Sequence, residues 1–167
     1  MFRSLLPALA ALGLLWAGAA SAEDYKAGDL LISNPWSRAT ASGAKVGAGY
    51  FTLTNHGATP DRLVSVSSGF SEKAEMHETT TENGVSRMRP IPDGLEIKPG
   101  ETIQFEPGGK HLMFLGLRQP LKQGESVKGA LVFRNAGKVD LEFEVKAVGA
   151  SPKAGEMSGG KRMDHAN

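Results

Sequence analysis

The stretch Leu141-Glu142-Phe143-Glu144-Val145-Lys146 alternates apolar and charged residues without interruption. Because successive side chains of a β-strand point to opposite faces, this stretch predicts a strand with one face in a core and one face in water. The stretch Tyr50-Phe51-Thr52-Leu53-Thr54 alternates in the same way, with Phe51 and Leu53 on the dry face. Strands, rather than helices, are therefore the expected elements.

Turn-forming residues separate such stretches roughly every eight to twelve residues, a spacing typical of a β-sandwich. They include Asn83-Gly84, Pro92-Asp93-Gly94, Lys98-Pro99-Gly100 and Pro107-Gly108-Gly109. Proline restricts φ and glycine tolerates a positive φ, so these segments can reverse the chain. The fold class predicted is all-β, a β-sandwich. Its candidate strands span residues 30–33, 46–55, 62–67, 73–80, 85–90, 94–97, 102–106, 111–117, 126–133 and 139–148.

Residues 1–22 have the features of a secretory signal peptide. Arg3 precedes an apolar run, and Ala20-Ser21-Ala22 has the small-x-small pattern that signal peptidase accepts. The apolar run contains Pro7 and is short for a membrane span, which argues against a permanent anchor. We expect export to the periplasm, cleavage after Ala22 and no membrane span in the mature protein.

Beyond the signal peptide, residues 23–149 are long enough for one domain with a single core. Residues 150–167 lack apolar periodicity and are rich in Gly, Ser and Lys, so we expect a flexible C-terminal tail there. Arg3 is the only charged residue before position 23, and the chain's 19 basic and 18 acidic residues leave the rest close to neutral. This balance gives no indication of nucleic acid or an anionic membrane as a partner. We expect a monomer.

Cysteine is absent from the chain, whereas methionine occurs six times and histidine four times. This excludes disulfides, thiolate zinc sites, Cys-ligated blue-copper centres and Cys nucleophiles. His111-Leu112-Met113 would place a histidine and a methionine on the same face of a strand. Any site for a soft metal would therefore use thioether and imidazole side chains.

A predicted hairpin brings two more side chains of this kind into consideration. His77 and Met88 flank Asn83-Gly84, a dipeptide that favours a two-residue hairpin turn. With such a turn, His77 lies opposite Pro90 and diagonal to Met88 on one face of the hairpin. A three-residue loop would shift the register by one and separate His77 and Met88 onto opposite faces. The sequence leaves both registers open.

The residue types favour copper over other metals. Thioether sulfur is soft and matches Cu(I), while neutral imidazole binds copper in either oxidation state. Methionine disfavours zinc, and no clustered carboxylate loop suggests calcium. We therefore predict a metal site formed by His77, Met88, His111 and Met113. Four neutral, releasable ligands suit a carrier rather than an enzyme.

The chain resembles the periplasmic copper chaperones of the PCuAC family over roughly residues 34–148. The motifs that carry the resemblance are Asn34-Pro35-Trp36-Ser37-Arg38-Ala39, Gly49-Tyr50-Phe51-Thr52-Leu53-Thr54-Asn55, Glu75-Met76-His77-Glu78, Met88-Arg89-Pro90-Ile91, Pro107-Gly108-Gly109-Lys110-His111-Leu112-Met113 and Gly116-Leu117-Arg118-Gln119-Pro120-Leu121-Lys122-Gln123-Gly124. The ligand signature of that family, a His, a Met and a later His-x-Met, matches His77, Met88, His111 and Met113.

The resemblance implies more than the spacing of residues does. It implies a cupredoxin-like Greek-key β-sandwich that binds Cu(I) and carries it toward the CuA centre of cytochrome c oxidase. The partners implied are a Sco-like protein or subunit II of the oxidase. Relatives with Met- and His-bearing extensions have a second, weaker site that takes Cu(II), for which Met157, Met163 and His165 are the candidates in the tail.

Two other functions remain open at this point. A copper electron-transfer protein would share the fold class, although the absence of cysteine argues against a blue-copper centre. A metal-free exported interaction domain would use the same methionine and histidine residues for packing. Convergence of the four side chains on one point would favour the copper carrier over the metal-free domain.

Overall fold

The computed structural model describes residues 23–151, so the predicted signal peptide and most of the predicted tail, with Met157, Met163 and His165, lie outside it. Residues 23–151 contain no helix, and therefore none that could cross a membrane. The described residues form eleven strands in chain order: β1 Tyr25–Ala27, β2 Leu30–Arg38, β3 Val46–Asn55, β4 Asp61–Ser68, β5 Lys73–Glu82, β6 Val85–Pro90, β7 Leu95–Ile97, β8 Thr102–Phe105, β9 Lys110–Leu115, β10 Ser126–Phe133 and β11 Gly137–Lys146.

All ten predicted strands are present, and β3, β6 and β10 have the predicted bounds. The largest difference is in β2, which was expected to end at Ser33 and continues to Arg38. Proline cannot donate a ladder hydrogen bond, so Pro35 is an unusual residue within a paired strand. The strand instead passes this point through a bulge, in which Asn34 has a positive φ of 52°. Strand β1, of three residues, was not predicted.

The strands form one mixed sheet in the order β6-β5-β9-β8-β3-β2-β11-β10-β4-β7, while β1 pairs with β2 outside this order. The sheet curls over a single core, where Phe114 of β9 packs edge-on against Phe143 of β11 with 5.5 Å between ring centroids. Phe70 meets the same Phe114 ring at 4.7 Å. The predicted all-β, cupredoxin-like class is confirmed.

Strand alternation divides β5 and β9 into a core face and an outer face. Met76, Leu112 and Phe114 point into the core and are at most 5% exposed. Residues one position away along each strand must therefore point outward. In this way the hydrophobic core determines which side chains of the two strands share the outer face.

The hairpin of β5 and β6 has the predicted two-residue turn. Asn83 and Gly84 both have positive φ, of 50° and 76°, as a type I′ turn requires. Glu82 pairs with Val85, and counting back along the ladder places His77 opposite Pro90. The register that unites His77 and Met88 on one face is therefore confirmed, and the three-residue loop is excluded.

Replacing Gly84 by Ala should loosen this hairpin without disturbing the rest of the sheet. A Cβ at Gly84 meets nothing within 4 Å, so the cost is backbone strain alone. An L-residue in this left-handed conformation costs about 1–2 kcal/mol, which corresponds to roughly 5- to 30-fold faster local opening. Amide hydrogen exchange across residues 80–87 should accelerate by that factor.

The matched control is Gly137→Ala, which has a φ of 82° and the same open surroundings at the distant turn between β10 and β11. It should accelerate exchange at its own hairpin only. Equal exchange rates at residues 80–87 in Gly84→Ala and the unmodified protein would contradict the turn assignment.

Candidate metal centre

The four predicted ligand positions lie on the outer face of three adjacent strands, β6, β5 and β9. His77 of β5 pairs directly with His111 of β9. Two residues along β9, Met113 lies opposite Glu75. On the other side of β5, Met88 lies opposite Thr79, which is two residues from His77. Paired residues project on the same side of a sheet, so the ladders unite all four positions on one face.

His111 is held in one orientation by a backbone carbonyl. Its side chain is buried, and its Nδ1 lies 3.0 Å from the carbonyl oxygen of Gly109. A carbonyl can only accept, so Nδ1 carries the proton and the lone pair of the neutral ring is on Nε2. The same Gly109 oxygen accepts the backbone N–H of Thr79 at 3.0 Å, which fixes it against β5.

His77 is held by a carboxylate rather than a carbonyl. Its Nε2 lies 3.0 Å from Oε2 of Glu75, two residues earlier on the same strand face. Its Nδ1 is buried and finds no hydrogen-bond partner among residues 23–151. Buried polar atoms are nearly always paired, so this ring nitrogen is a place where a ligand could bind. His77 therefore has one ring nitrogen available for an ion.

The two imidazole rings are close enough to bind one ion. Their centroids are 6.0 Å apart and their planes are inclined by 37°. Because metal–nitrogen bonds are about 2 Å long and a ring nitrogen lies roughly 1 Å from its ring centre, two imidazoles on one ion have centroids up to roughly 6 Å apart. The distance between the rings thus fits a shared ion.

Glu75 was not identified from the sequence. Its carboxylate bonds to Lys73 as well as to His77, and these two groups hold the pKa of Glu75 below its usual value of 4.5, Lys73 having the larger effect. Lys73, Glu75 and His77 occupy every second position of β5 and therefore share its outer face. The Glu-x-His spacing within a predicted strand is the signal that could have revealed it.

The two methionines differ sharply in exposure. Met113 is partly buried, whereas Met88 on the edge strand β6 is 53% exposed. The adjacent Met76 faces the core, as its position next to His77 predicts. Residues 23–151 contain no cluster of three or more His, Cys, Asp or Glu side chains that could hold a metal. An ion bound at this face would therefore need the thioethers as well as the two imidazoles.

Comparison with known proteins assigns the chain to a family. A family model described as "Putative lipoprotein LpqE-like" matches residues 30–145, most of the described domain. The chain belongs to this LpqE-like family of PCuAC domains. Among curated proteins it is similar to "Putative lipoprotein Lxx21020" of Leifsonia xyli subsp. xyli. The two are 30% identical over 115 residues, which cover 69% of this chain and 68% of the relative.

Solved structures of PCuAC domains share the fold of this LpqE-like protein. The apo PCuAC domain from PmoF1 is 29% identical with a TM-score of 0.64, covering 75% of this chain and 99% of that domain. The copper-bound PCuAC domain from PmoF2 is 26% identical with a TM-score of 0.64, covering 75% and 98%. The solution structure of CuI-DR1885 from Deinococcus radiodurans is 26% identical with a TM-score of 0.55, covering 78% and 85%.

A cluster of aromatic and cationic side chains lies outside the main core of this LpqE-like protein. Trp36 and Tyr50 are both buried, with 4.5 Å between their ring centroids. The guanidinium carbon of Arg38 lies 6.0 Å and 5.7 Å from the centroids of the two rings. Arg38 also donates two hydrogen bonds to the carbonyl of Ala150, at 3.1 Å and 2.9 Å. The cluster thus connects β2 and β3 to the end of the domain.

This aromatic cluster borders the histidine face, because Ala48 lies opposite Met113 and Tyr50 follows two residues later on the same side of β3. Burial raises the pKa of Tyr50 above 10.0, and the positive charge of Arg38 partly opposes that rise. Since folding raises this pKa, the stability that the neutral phenol contributes is present below pH 10 and is lost as the pH rises through the folded pKa.

Replacing Arg38 by Gln should raise the pKa of Tyr50 further, because the cation no longer stabilises the phenolate. The chain has two tyrosines, so a Tyr25→Phe background leaves Tyr50 as the single reporter. Ultraviolet absorbance of the phenolate, followed against pH, gives the midpoint. Arg62→Gln, which removes a cation paired with Glu96, is the control and should leave the midpoint unchanged. A midpoint that falls in Arg38→Gln would contradict the proposed geometry.

Proposed function

We propose that this protein is a periplasmic carrier of Cu(I), which it holds through His77, His111, Met113 and Met88. The observation that supports this most directly is the arrangement of the two histidines. They face each other across β5 and β9, and each has one ring nitrogen engaged by an acceptor. The Nδ1 of His77 is buried and has no partner within the described part of the chain. Such a pair is organised for an ion before the ion arrives.

Copper is the metal that this donor set favours. Two thioethers and two neutral imidazoles form a soft, neutral site, which suits Cu(I) better than zinc or calcium. Two similar structures are the copper-bound PCuAC domain from PmoF2 and CuI-DR1885 from Deinococcus radiodurans. Belonging to the same domain family, this chain is expected to bind the same metal.

A carrier must release its cargo, and the exposure of the ligands provides for this. His111 is 6% exposed, whereas Met88 on the edge strand is 53% exposed. A recipient can therefore approach from the side of β6 and replace Met88 while the histidines still hold the ion. Thioethers also bind less strongly than thiolates and form no disulfides in an oxidising compartment. We propose a metal carrier with no enzymatic activity.

Family resemblance supports a destination for the copper. We propose delivery toward the CuA centre of cytochrome c oxidase, to subunit II directly or together with a Sco-like protein. Residues 1–22 would direct export, and the carrier would act as a monomer. The possible tail ligands Met157, Met163 and His165 lie outside the described residues, and a weaker Cu(II) site there remains a prediction.

Replacing Met88 and Met113 together by Leu should weaken Cu(I) binding by at least about tenfold, or about 1.4 kcal/mol. Leucine keeps the apolar volume and removes only the sulfur ligands. Affinity is measured by competition with a coloured Cu(I) chelator under anaerobic, reducing conditions. Met76→Leu, which changes a core methionine beside His77, is the matched control and should bind as the unmodified protein does.

The same titration tests the two other functions. Equal affinities for the double variant and the unmodified protein would refute the thioether site. Failure of the unmodified protein to bind copper at all would favour a metal-free interaction domain. Reversible cycling of the bound copper between Cu(I) and Cu(II) without loss of the ion would instead favour electron transfer.

Copper should pass from this protein to its proposed recipient. When the Cu(I)-loaded protein is mixed with the copper-free CuA domain of oxidase subunit II, with and without a reduced Sco-like protein, copper should be found on the CuA domain after the proteins are separated. Copper content by mass spectrometry is the readout, with the loaded Met76→Leu variant as the control. Copper that stays on the carrier in both mixtures would remove the oxidase as destination while leaving Cu(I) binding intact.

A further inference from the structure

We infer that Glu75 is the positioning residue of the metal centre, and that it makes Nδ1 of His77 the nitrogen that binds copper. This inference rests on the proposed function and adds to it a residue outside the ligand set. Glu75 lies two residues before His77 on β5, and its Oε2 is 3.0 Å from Nε2 of the imidazole. The side chain is 25% exposed, so it lies at the rim of the face rather than in the core.

Donor and acceptor chemistry assigns the proton of His77. One oxygen of Glu75 pairs with the ammonium of Lys73 and the other faces the imidazole, and a carboxylate placed in this way can only accept. Nε2 must therefore donate, and a neutral imidazole with its proton on Nε2 has its lone pair on Nδ1. That atom is the buried nitrogen that has no partner among residues 23–151. The proton and the free lone pair therefore lie on different nitrogens of the same ring.

His111 is arranged in the opposite sense. Its Nδ1 donates to the carbonyl of Gly109, which leaves Nε2 as the free nitrogen. The two rings would therefore present different nitrogens, Nδ1 from His77 and Nε2 from His111. The difference follows from the acceptors, since Gly109 lies in the chain that enters β9, whereas Glu75 projects from β5 itself.

Lys73 completes the arrangement by holding the second oxygen of Glu75. With one oxygen on Lys73 and the other on His77, the carboxylate has little freedom to rotate into the ion's position. The negative charge of the carboxylate is next to the His77 imidazole and increases the basicity of that ring. Glu75 thus orients and tunes His77 without being a ligand itself.

Three variants separate the hydrogen bond from the charge. Glu75→Leu removes both, Glu75→Gln keeps a carbonyl acceptor at nearly the same place, and Glu78→Leu removes a carboxylate that pairs with Lys110 on the opposite face. Replacing groups that orient metal ligands typically costs about 10- to 100-fold in affinity. We expect a loss of that size in Glu75→Leu, a clearly smaller loss in Glu75→Gln and no loss in Glu78→Leu.

NMR of the histidine ring nitrogens shows which nitrogen binds copper. A residue that only stabilised the fold would not change that choice. Cu(I) is diamagnetic, so long-range proton–nitrogen spectra can identify the bound nitrogen in the purified protein. The unmodified protein should bind through Nδ1 of His77 and Nε2 of His111. Glu75→Gln should keep this pattern, whereas Glu75→Leu should show His77 bound in part through Nε2. Backbone spectra of the copper-free variants establish that each remains folded.

The outcomes distinguish this inference from the proposed function. Binding through Nε2 of His77 in the unmodified protein, or full affinity in Glu75→Leu, would overturn the role of Glu75 and leave the copper site in place. A loss in Glu75→Gln equal to that in Glu75→Leu would also overturn it, because charge rather than orientation would then be responsible. If the unmodified protein bound no Cu(I), the carrier function itself would fail.

Discussion

The register between β5 and β9 is the constraint on which the proposed metal centre depends. It places His77 directly opposite His111 and, two residues along, Met113 opposite Glu75. Because side chains alternate along a strand, a slip of one residue would turn one histidine into the core and pair the other with an apolar residue. The apolar side chains of Met76 and Leu112 on the reverse face oppose such a slip, since it would expose them to water. Core packing and site geometry are therefore two consequences of the same pairing.

The hydrogen-bond acceptors of the two histidines, the Gly109 carbonyl and the Glu75 carboxylate, orient the two rings. Gly109 is itself bonded to the backbone of β5, and Glu75 is bonded to Lys73, so each acceptor has a second partner besides its histidine. Each ring consequently has one committed nitrogen and one free nitrogen. An ion that arrives at this face meets rings that are already oriented, which lowers the entropic cost of binding. The carboxylate also supplies negative charge that a set of four neutral ligands lacks.

The histidines and Met88 lie on strands that differ in how firmly they are held in the sheet. The histidines lie on β5 and β9, which are paired on both sides within the sheet, whereas Met88 lies on the edge strand β6. Every residue of β6 is exposed, so this strand has few contacts that resist local opening. This division would suit the proposed carrier, because the ion would be held firmly on one side and would be accessible on the other.

The sequence by itself determined the strands, because apolar alternation and turn residues act locally. It also limited the metal chemistry, because a chain with ten methionine and histidine residues in all and no cysteine can offer only thioethers and imidazoles to a soft metal. His111 and Met113 could be assigned to one face from their spacing alone. The pairing of His77 with His111 could not be predicted, since these residues are far apart in the chain and meet only through sheet topology. Glu75, the carbonyl of Gly109 and the buried nitrogen of His77 acquired their roles only in the tertiary structure, because hydrogen bonding and burial depend on which strands become neighbours.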